Sequence, residues 1–321
     1  MNKIAFAGAC TALAISAGPV TAQEDYPNRT IDMVVAYSAG GGTDVAARTL
    51  VPFIEKYLPG DQTIAVINKP GASGELGFAE IAKATPDGYT IGFINTPTSI
   101  TIPIQRDATF AFDQLKPIAN VVFDAGSLVV LPDNPYGDLA GLIEAAKAAP
   151  GEITYGTTGI GSDDHLSMLA LERAAGIQLR HVPFGGSSEI RAALLGGHID
   201  LGSMNIGEVI DSVNEGEIAT FGQMGTERWE GAPDVPTFEE QGYDVVSGAY
   251  RGIGAPTGVD PAIIDILSTA IGEAVADDEF RAAAAEQALP LDYQDSEQFT
   301  ATLNDLQSLY QSLWDENPWV E

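Results

Sequence analysis

The chain has 321 residues, of which 45% are hydrophobic, and its 45 acidic residues outnumber 15 basic ones to give a formal net charge of −30. This hydrophobic content excludes a disordered chain, and a chain of this length usually folds into two domains. The charge excludes nucleic acid as a partner, because its phosphate backbone would be repelled. We interpret the acidity as a solvated surface; an acidic docking face for a cationic partner is the alternative.

Residues 1–22 have the pattern of a secretory signal peptide. Lys3 precedes an apolar stretch over residues 4–17, and small residues lead to the polar Gln23. We therefore expect the mature protein to start near Gln23 and to lie outside the cytoplasm. The only cysteine, Cys10, lies in this segment, so the mature chain is expected to contain no disulfide bond. No later apolar run reaches the roughly 18 residues of a membrane-spanning helix.

Two loops rich in glycine and hydroxyl groups each follow an apolar segment and precede an amphipathic one. The first occupies residues 38–44 between apolar residues 31–37 and a helical pattern over 45–57, in which Pro52 predicts a kink or an early end. The second occupies residues 156–163 and precedes a helical pattern over 165–175. Both patterns predict a strand, a loop and a helix.

Loops of this kind suit an anion, because the first amides of a helix have no partner within the helix. Neither loop contains the lysine of a phosphate-binding P-loop, which leaves a carboxylate as the expected anion. The alternative is a pair of ordinary tight turns, capped by Asp44 and by Ser162 or Asp163.

Strand-like and helical segments alternate through the rest of the chain, which predicts an α/β fold with mostly parallel sheets. The expected strands include residues 63–68, 90–95, 127–131 and 199–204. The repeated strand, loop and helix predicts two lobes facing a cleft, with ligand beyond the carboxyl ends of the strands.

The C-terminal region is predicted to be helical. Its last helix, over residues 296–313, is opened by a capping box of Asp295 and Gln298. We expect its buried stripe and the aromatic packing at its end to comprise Leu303, Leu306, Tyr310 and Leu313, with Trp314 and Trp319.

Several motifs resemble those of the extracytoplasmic solute receptors of tripartite tricarboxylate transporters, often called Bug proteins. In chain order they read YPNRTI at 26–31, AGGGTD at 39–44, NKPGASG at 68–74, PDGYT at 86–90, YGTTGIGSDDHL at 155–166, HVPF at 181–184, GGHID at 196–200 and PDVPT at 233–237. With SGAYRG at 247–252, the resemblance covers nearly all of the predicted mature chain.

The resemblance implies a two-lobed periplasmic binding protein that closes on a ligand between its lobes. Residues 23–126 and 248–321 would form lobe 1, and residues 127–247 would form lobe 2. The expected ligand is an organic carboxylate, such as a di- or tricarboxylate, and the expected partners are the membrane components of a tripartite tricarboxylate transporter. The family implies no enzymatic activity, no cofactor and no metal.

The resemblance also implies which residues bind the ligand. The two loops would hold a carboxylate, His165 would follow the second loop, and Asn205 would line the cleft. Apart from the resemblance, Arg251 lies where the chain returns to lobe 1, and its guanidinium could pair with a second ligand carboxylate; a salt bridge to an acidic residue is an alternative at least as well supported. The expected set is Ser38, Ala39, Gly40, Gly41, Gly42, Thr43, Asp44, Thr157, Thr158, Gly159, Ser162, His165, Asn205 and Arg251.

Phe184 stands where relatives often carry a tyrosine, so the resemblance implies no hydroxyl contact from that position. The segment 247–252 also lacks the tryptophan that many relatives carry there. Neither departure affects the two loops.

Two other functions are alternatives to this one. A secreted α/β hydrolase is disfavoured because the chain has no Gly-x-Ser-x-Gly nucleophile motif, although His165 follows Ser162 by three residues. A receptor that presents its ligand to a sensor kinase stays open, because it needs the same closure. His165, His181 and His198 are not spaced as metal ligands.

Overall fold

The computed structural model describes residues 26–316 and 318–320, so the predicted signal peptide and Cys10 lie outside the described residues. Within this part, every helix is too short or too polar to cross a membrane. The strands are β1 Ile31–Val35, β2 Ile64–Asn68, β3 Thr90–Phe93, β4 Leu115–Val130, β5 Thr154–Thr157, β6 Arg180–Pro183, β7 Leu201–Asn205, β8 Ala219–Gln223, β9 Gly248–Pro256 and β10 Leu291–Gln294.

The helices alternate with these strands. They are α1 Gly42–Tyr57, α2 Glu75–Lys83, α3 Thr98–Gln105, α4 Leu139–Ala148, α5 Asp163–Ala175, α6 Ser187–Leu195, α7 Ile206–Asn214, α8 Pro261–Ala276, α9 Asp278–Glu286 and α10 Ser296–Glu316. The predicted α/β alternation is confirmed. Helix α1 continues through Pro52 to Tyr57, so the early end predicted there is wrong.

The strands form one path in the order β2-β1-β3-β9-β4-β7-β5-β6, with β8 and β10 paired to β4. Strand β1 is parallel to β2 and β3, and β5 is parallel to β6 and β7. These two parallel groups are the expected cores of the two lobes. Strands β9 and β4 join them in antiparallel pairs, so the complete sheet is mixed.

Strand β4 runs from one half of the sheet into the other. Up to Ala125 it pairs with β9, and from Gly126 onward it pairs with β7. It begins at Leu115, twelve residues before the strand expected at 127–131. Lys116, Asn120 and Asp124 interrupt the apolar pattern in the earlier part, although Asn120 and Asp124 are fully buried.

Helix α10 packs against the hydrophobic core over most of its length, and the predicted residues Leu306 and Tyr310 are partly buried there. The predicted capping box is confirmed, because the Gln298 amide donates to Asp295 Oδ1 at 2.9 Å and the Asp295 amide donates to Gln298 Oε1 at 3.2 Å. Phe299 and Leu303 are buried. Leu313 is 38% exposed and does not pack against the core, so its predicted place in the buried stripe is wrong. The rings of Trp314 and Trp319 pack 4.8 Å apart.

We expect Phe299→Ala to lower the free energy of unfolding by about 3–5 kcal/mol, because it removes a fully buried ring that packs against Gly252 of β9. Urea denaturation measures the change. The control is Leu309→Ala on the same helix, where the side chain is 49% exposed and the change should stay within about 0.5 kcal/mol. Equal effects of the two substitutions would contradict this account of α10.

Candidate functional site: a cleft between two glycine loops

The two predicted loops meet at the carboxyl ends of their strands. The first joins β1 to α1 and the second joins β5 to α5. A cavity of about 20 Å³ lies between them. Its lining comprises Tyr37, Gly41, Gly42, Thr43, Asn95, Thr158, Asp163, Gly186, Ser187, Asn205, Glu208, Ala249 and Arg251. Six of the expected site residues are therefore brought together here: Gly41, Gly42, Thr43, Thr158, Asn205 and Arg251.

Asp44 holds the first loop in shape and does not line the cavity. Its carboxylate accepts hydrogen bonds from the Gly40 amide at 2.9 Å, from Arg48 Nε at 2.9 Å and from Asn68 Nδ2 at 3.0 Å. Burial alone would raise the pKa of Asp44, but the bonds from Arg48, Gly40 and Asn68 lower it below its ordinary value. The charged carboxylate thus fixes the turn before α1.

The second loop is held by residues behind it. Ser162 Oγ caps α5 by accepting from the His165 amide at 3.2 Å, and Asp164 accepts from the amide and hydroxyl of Thr158 at 3.0 and 2.7 Å. Thr157 is fully buried and bonds to His181 Nε2 at 2.6 Å. Of the expected residues in this loop, only Thr158 lines the cavity.

Three stacked rings lie behind the second loop. The centroids of Tyr155 and His181 are 5.1 Å apart, and those of His181 and His165 are 4.3 Å apart. His165 Nδ1 accepts from the Gly161 amide at 3.2 Å, which requires that nitrogen to be unprotonated. His165 therefore supports the loop from behind.

Arg251, on β9, is the cationic side chain of the cavity wall and is only 1% exposed. Its Nη2 lies 2.9 Å from each of Asp124 Oδ2, Glu208 Oε1 and Asn205 Oδ1. The alternative expected for Arg251, a salt bridge to an acidic residue, is thus present. Its Nε and Nη1 atoms are buried without a hydrogen-bond partner among the described residues. Burial raises the pKa of Asp124 to about 7, against the opposing charge of Arg251.

A carboxylate lies at the N-terminus of α1. The Gly42 amide donates to Glu208 Oε1 at 3.1 Å, and Glu208 Oε2 accepts from the Asn205 amide at 3.4 Å. Asn205 also donates from Nδ2 to Asp163 Oδ2 at 2.7 Å. Glu208 was missed in the sequence, although its spacing from Asn205 gives a capping box at the end of a strand.

The cleft is closed by direct contacts between its two sides. Ser38 Oγ donates to Glu189 Oε1 at 2.5 Å, and Ser188 Oγ donates to the Ala39 carbonyl at 3.3 Å. Below them, Thr101 Oγ1 donates to the Gly161 carbonyl at 2.6 Å. Ser38 and Ala39 therefore lie at the rim.

Two further glycines also lie outside the 20 Å³ cavity. Gly40, with a φ of +77°, lines a neighbouring cavity of about 280 Å³. Gly159 packs against Ser73 on the opposite side of the cleft.

A third loop of the same kind was missed. Gly186 and Ser187 line the cavity, in the connection between β6 and α6. Its sequence GGSS at 185–188, after an apolar segment and before a helix, repeats the signal of the other two loops. Four more lining residues were missed: Tyr37, Asn95, Asp163 and Ala249. They had no signal beyond their position near the end or the start of a strand or at the start of a helix.

This architecture, two α/β halves with loops that meet over a buried arginine, defines a two-lobed solute-binding fold. Residues 47–313 match the family described as "Tripartite tricarboxylate transporter family receptor". The chain belongs to this family. Family members are periplasmic solute-binding receptors and not enzymes.

Relatives and solved structures agree with this assignment. A protein from the gbd 5′ region of Cupriavidus necator is 33% identical over 307 residues, covering 92% of this chain and 90% of that one. BugT of Bordetella pertussis is 31% identical, covering 85% and 84%. The structure of the periplasmic binding protein BugD is 27% identical with a TM-score of 0.84, covering 91% and 98%. MatC of Rhodopseudomonas palustris with bound malate is 26% identical with a TM-score of 0.82, covering 91% and 99%.

We expect the rings of His165 and His181 to stay neutral from about pH 7.5 to about pH 4.5 in the folded protein. Burial, with the neighbouring His181, lowers the pKa of His165 to about 3, and burial lowers that of His181 to about 4. NMR of the imidazole carbons measures both. The neutral pair contributes to the free energy of unfolding above about pH 6.5. This contribution is lost as the pH falls from 6.5 toward 4, because the unfolded chain then binds more protons than the folded chain.

The control for this titration is the urea-unfolded chain, in which both rings should titrate at about pH 6.5. A folded-state midpoint near that value for either ring would show that the stack behind the second loop is solvated and charged.

Proposed function

We propose that this protein captures a small organic carboxylate in the cleft between its two lobes and delivers it to the membrane components of a tripartite tricarboxylate transporter. The observation that carries the proposal is the buried Arg251, which lines the cavity and whose Nε and Nη1 atoms have no hydrogen-bond partner among the described residues. Buried donors of this kind are costly to leave unpaired, and a carboxylate satisfies two of them at once.

The glycine loop at α1 supports carboxylate as the ligand group. The Gly42 amide already donates to a carboxylate, that of Glu208, at 3.1 Å. The N-terminus of α1 also favours negative charge through the helix dipole. The malate bound to MatC, which is 26% identical to this chain, is a dicarboxylate, one of the ligand types that the resemblance implies.

The proposed ligand contacts come from three places: the first loop, the second loop, and Asn205 with Arg251. Gly41, Gly42, Thr43, Thr158, Asn205 and Arg251 line the cavity and are proposed to contact the ligand directly or through water. The other expected residues are proposed to act indirectly, by shaping the loops or closing the rim: Ser38, Ala39, Gly40, Asp44, Thr157, Gly159, Ser162 and His165.

Ligand entry requires the lobes to separate, since the 20 Å³ cavity holds about one water molecule. We propose that residues 23–126 and 248–321 move against residues 127–247. Strand β4 changes its partner from β9 to β7 between Ala125 and Gly126, which supports a hinge there. The start of β9 at Gly248 supports a second hinge. Ligand favours closure only through contacts it makes in the closed state.

The proposed location is the periplasm, reached through cleavage of a signal peptide over residues 1–22. This is supported by the family and by the apolar pattern of residues 4–17.

We expect a small organic acid to raise the melting temperature of the protein beginning at Gln23, while the matched neutral amide does not. Binding to the folded state alone stabilises it by mass action, and the amide lacks the charge that Arg251 and α1 attract. A thermal-shift screen of paired acids and amides measures this. Equal shifts by acid and amide would contradict carboxylate recognition.

We expect Gly42→Ala to weaken ligand binding at least about tenfold while the circular dichroism spectrum stays unchanged, because Cβ at this position meets the Glu208 carboxylate and the Arg251 guanidinium. Titration calorimetry measures the affinity. Gly272→Ala is the matched control: it adds the same methyl group within α8, outside both cavities around Arg251, where the nearest atom is the hydroxyl oxygen of the exposed Tyr293 at 2.8 Å. Unchanged affinity in Gly42→Ala would place the ligand elsewhere.

A further inference from the structure

A carboxylate of the protein already occupies the N-terminus of α1. Glu208, the third residue of α7, accepts at Oε1 from the Gly42 amide at 3.1 Å. The same oxygen lies 2.9 Å from Arg251 Nη2. An amide at a helix N-terminus and a guanidinium are the groups through which a ligand carboxylate is proposed to bind. Glu208 therefore makes, from within the chain, contacts of the kind proposed for the ligand.

The Glu208 carboxylate is held in this position by its own helix. Its Oε2 atom accepts from the Asn205 amide at 3.4 Å in the capping box of α7, and the side chain is only 10% exposed. The carboxylate thus lies between the N-termini of α1 and α7, and both helix dipoles favour a negative charge there. Because the capping box restricts the side chain, bonding to Gly42 and Arg251 costs it little further conformational entropy.

The Glu208 contacts join the two proposed lobes. Gly42 begins α1 and Arg251 lies on β9, both in lobe 1, whereas α7 belongs to lobe 2. Separation of the lobes for ligand entry breaks both contacts. They therefore stabilise the closed cleft in the absence of a ligand.

The charges of the two cavities around Arg251 indicate that Glu208 and a ligand carboxylate compete. Two arginines and four acids line these cavities or lie beside Arg251: Arg191, Arg251, Asp124, Asp163, Glu208 and Asp211. The acids outnumber the cations before any ligand binds. A ligand carboxylate at the Gly42 amide would lie beside that of Glu208, and like charges at short range repel. The two carboxylates thus compete for one place.

The cavity of about 280 Å³ gives a displaced Glu208 carboxylate room to move. Glu208 lines this cavity together with Ser187, Ser188 and Arg191. Arg191 donates from Nη2 to the backbone carbonyl of Glu208, so its guanidinium lies close to the base of that side chain. A guanidinium has five N–H donors, and rotation of the Glu208 side chain toward Arg191 would form a new ion pair.

We propose that Glu208 acts as an internal ligand. In the empty receptor its carboxylate occupies the place of the ligand carboxylate and holds the cleft closed, and the ligand binds by displacing it toward Arg191. This inference rests on the proposed carboxylate-binding function and adds an autoinhibitory contact to it. The measured affinity is then lower than that of the open cleft, in proportion to the fraction of receptor in which Glu208 has left the site.

Small-angle X-ray scattering of the empty protein tests the closing role. For the chain beginning at Gln23, without added acid, we expect Glu208→Ala to have a larger radius of gyration than the wild-type protein, because its lobes separate. Glu215→Ala is the control, since it removes the same side chain from an exposed position after α7 that lies outside both cavities. Equal radii for Glu208→Ala and the wild-type protein would overturn the closing role.

Titration calorimetry with acetate, succinate and L-malate tests the competition. Glu208→Gln removes the charge and keeps an oxygen that can accept from Gly42. We expect this variant to bind an acid about 10- to 100-fold more tightly than the wild-type protein, the range for one charge-assisted hydrogen bond that no longer opposes binding. Glu215→Gln is the matched control and should bind with wild-type affinity.

The substitution Arg191→Gln tests where the displaced side chain goes. In the wild-type background we expect it to weaken binding about tenfold, because the displaced Glu208 loses its ion pair. In the Glu208→Gln background we expect a change of less than about twofold, because a neutral side chain needs no cation. An equal loss in both backgrounds would assign Arg191 to the ligand and overturn displacement toward Arg191.

The outcomes separate this inference from the proposed function. If acids bind, and Glu208→Gln binds them no more tightly than the wild-type protein, Glu208 only supports the site: the inference is overturned and the carboxylate receptor stands. If an acid binds to Glu208→Gln and not to the wild-type protein, both are supported. If no acid binds to either protein, the carboxylate function is overturned, and the inference with it.

Discussion

The buried guanidinium of Arg251 is the constraint on which the rest of the cleft depends. Removing such a charge from water costs several kcal/mol, so it requires acids and hydrogen-bond acceptors around it. Those groups come from strand β4, through Asp124, and from the end of β7 and the start of α7, through Asn205 and Glu208. One ion-pair network therefore fixes β9 against the end of β7 and the start of α7, two elements that come after β4 in the chain.

The same network explains why the two glycine loops meet where they do. Glu208 bonds both Arg251 and the first amide of α1, which brings the first loop to the second half of the molecule. Each loop also has an acid that folds back onto it, Asp44 in the first and Asp164 after the second. These internal bonds fix the loops before ligand arrives, which reduces the entropic cost of binding.

Much of this arrangement was predictable because its signals are local. A strand, a glycine loop and a capped helix are adjacent in the chain, and this pattern predicts the two main loops. These loops place Gly42, Thr43 and Thr158 in the cavity wall. The third loop at 185–188 carries the same signal and was overlooked. The full length of β4 was not predictable from hydropathy, because Asn120 and Asp124 are polar side chains buried within a strand.

By itself, the sequence determined the α/β alternation, the capped helices and the loops that can take an anion, since each depends on residues within one or two turns of each other. Only the tertiary structure decided how charge is distributed in the cleft. Arg251, Asp124 and Glu208 are far apart in the chain, and nothing near any of them indicates that they share one buried site. The pairing and crossing of the strands decide which of the 45 acids is buried beside a cation. Such long-range pairing leaves no local pattern in the sequence.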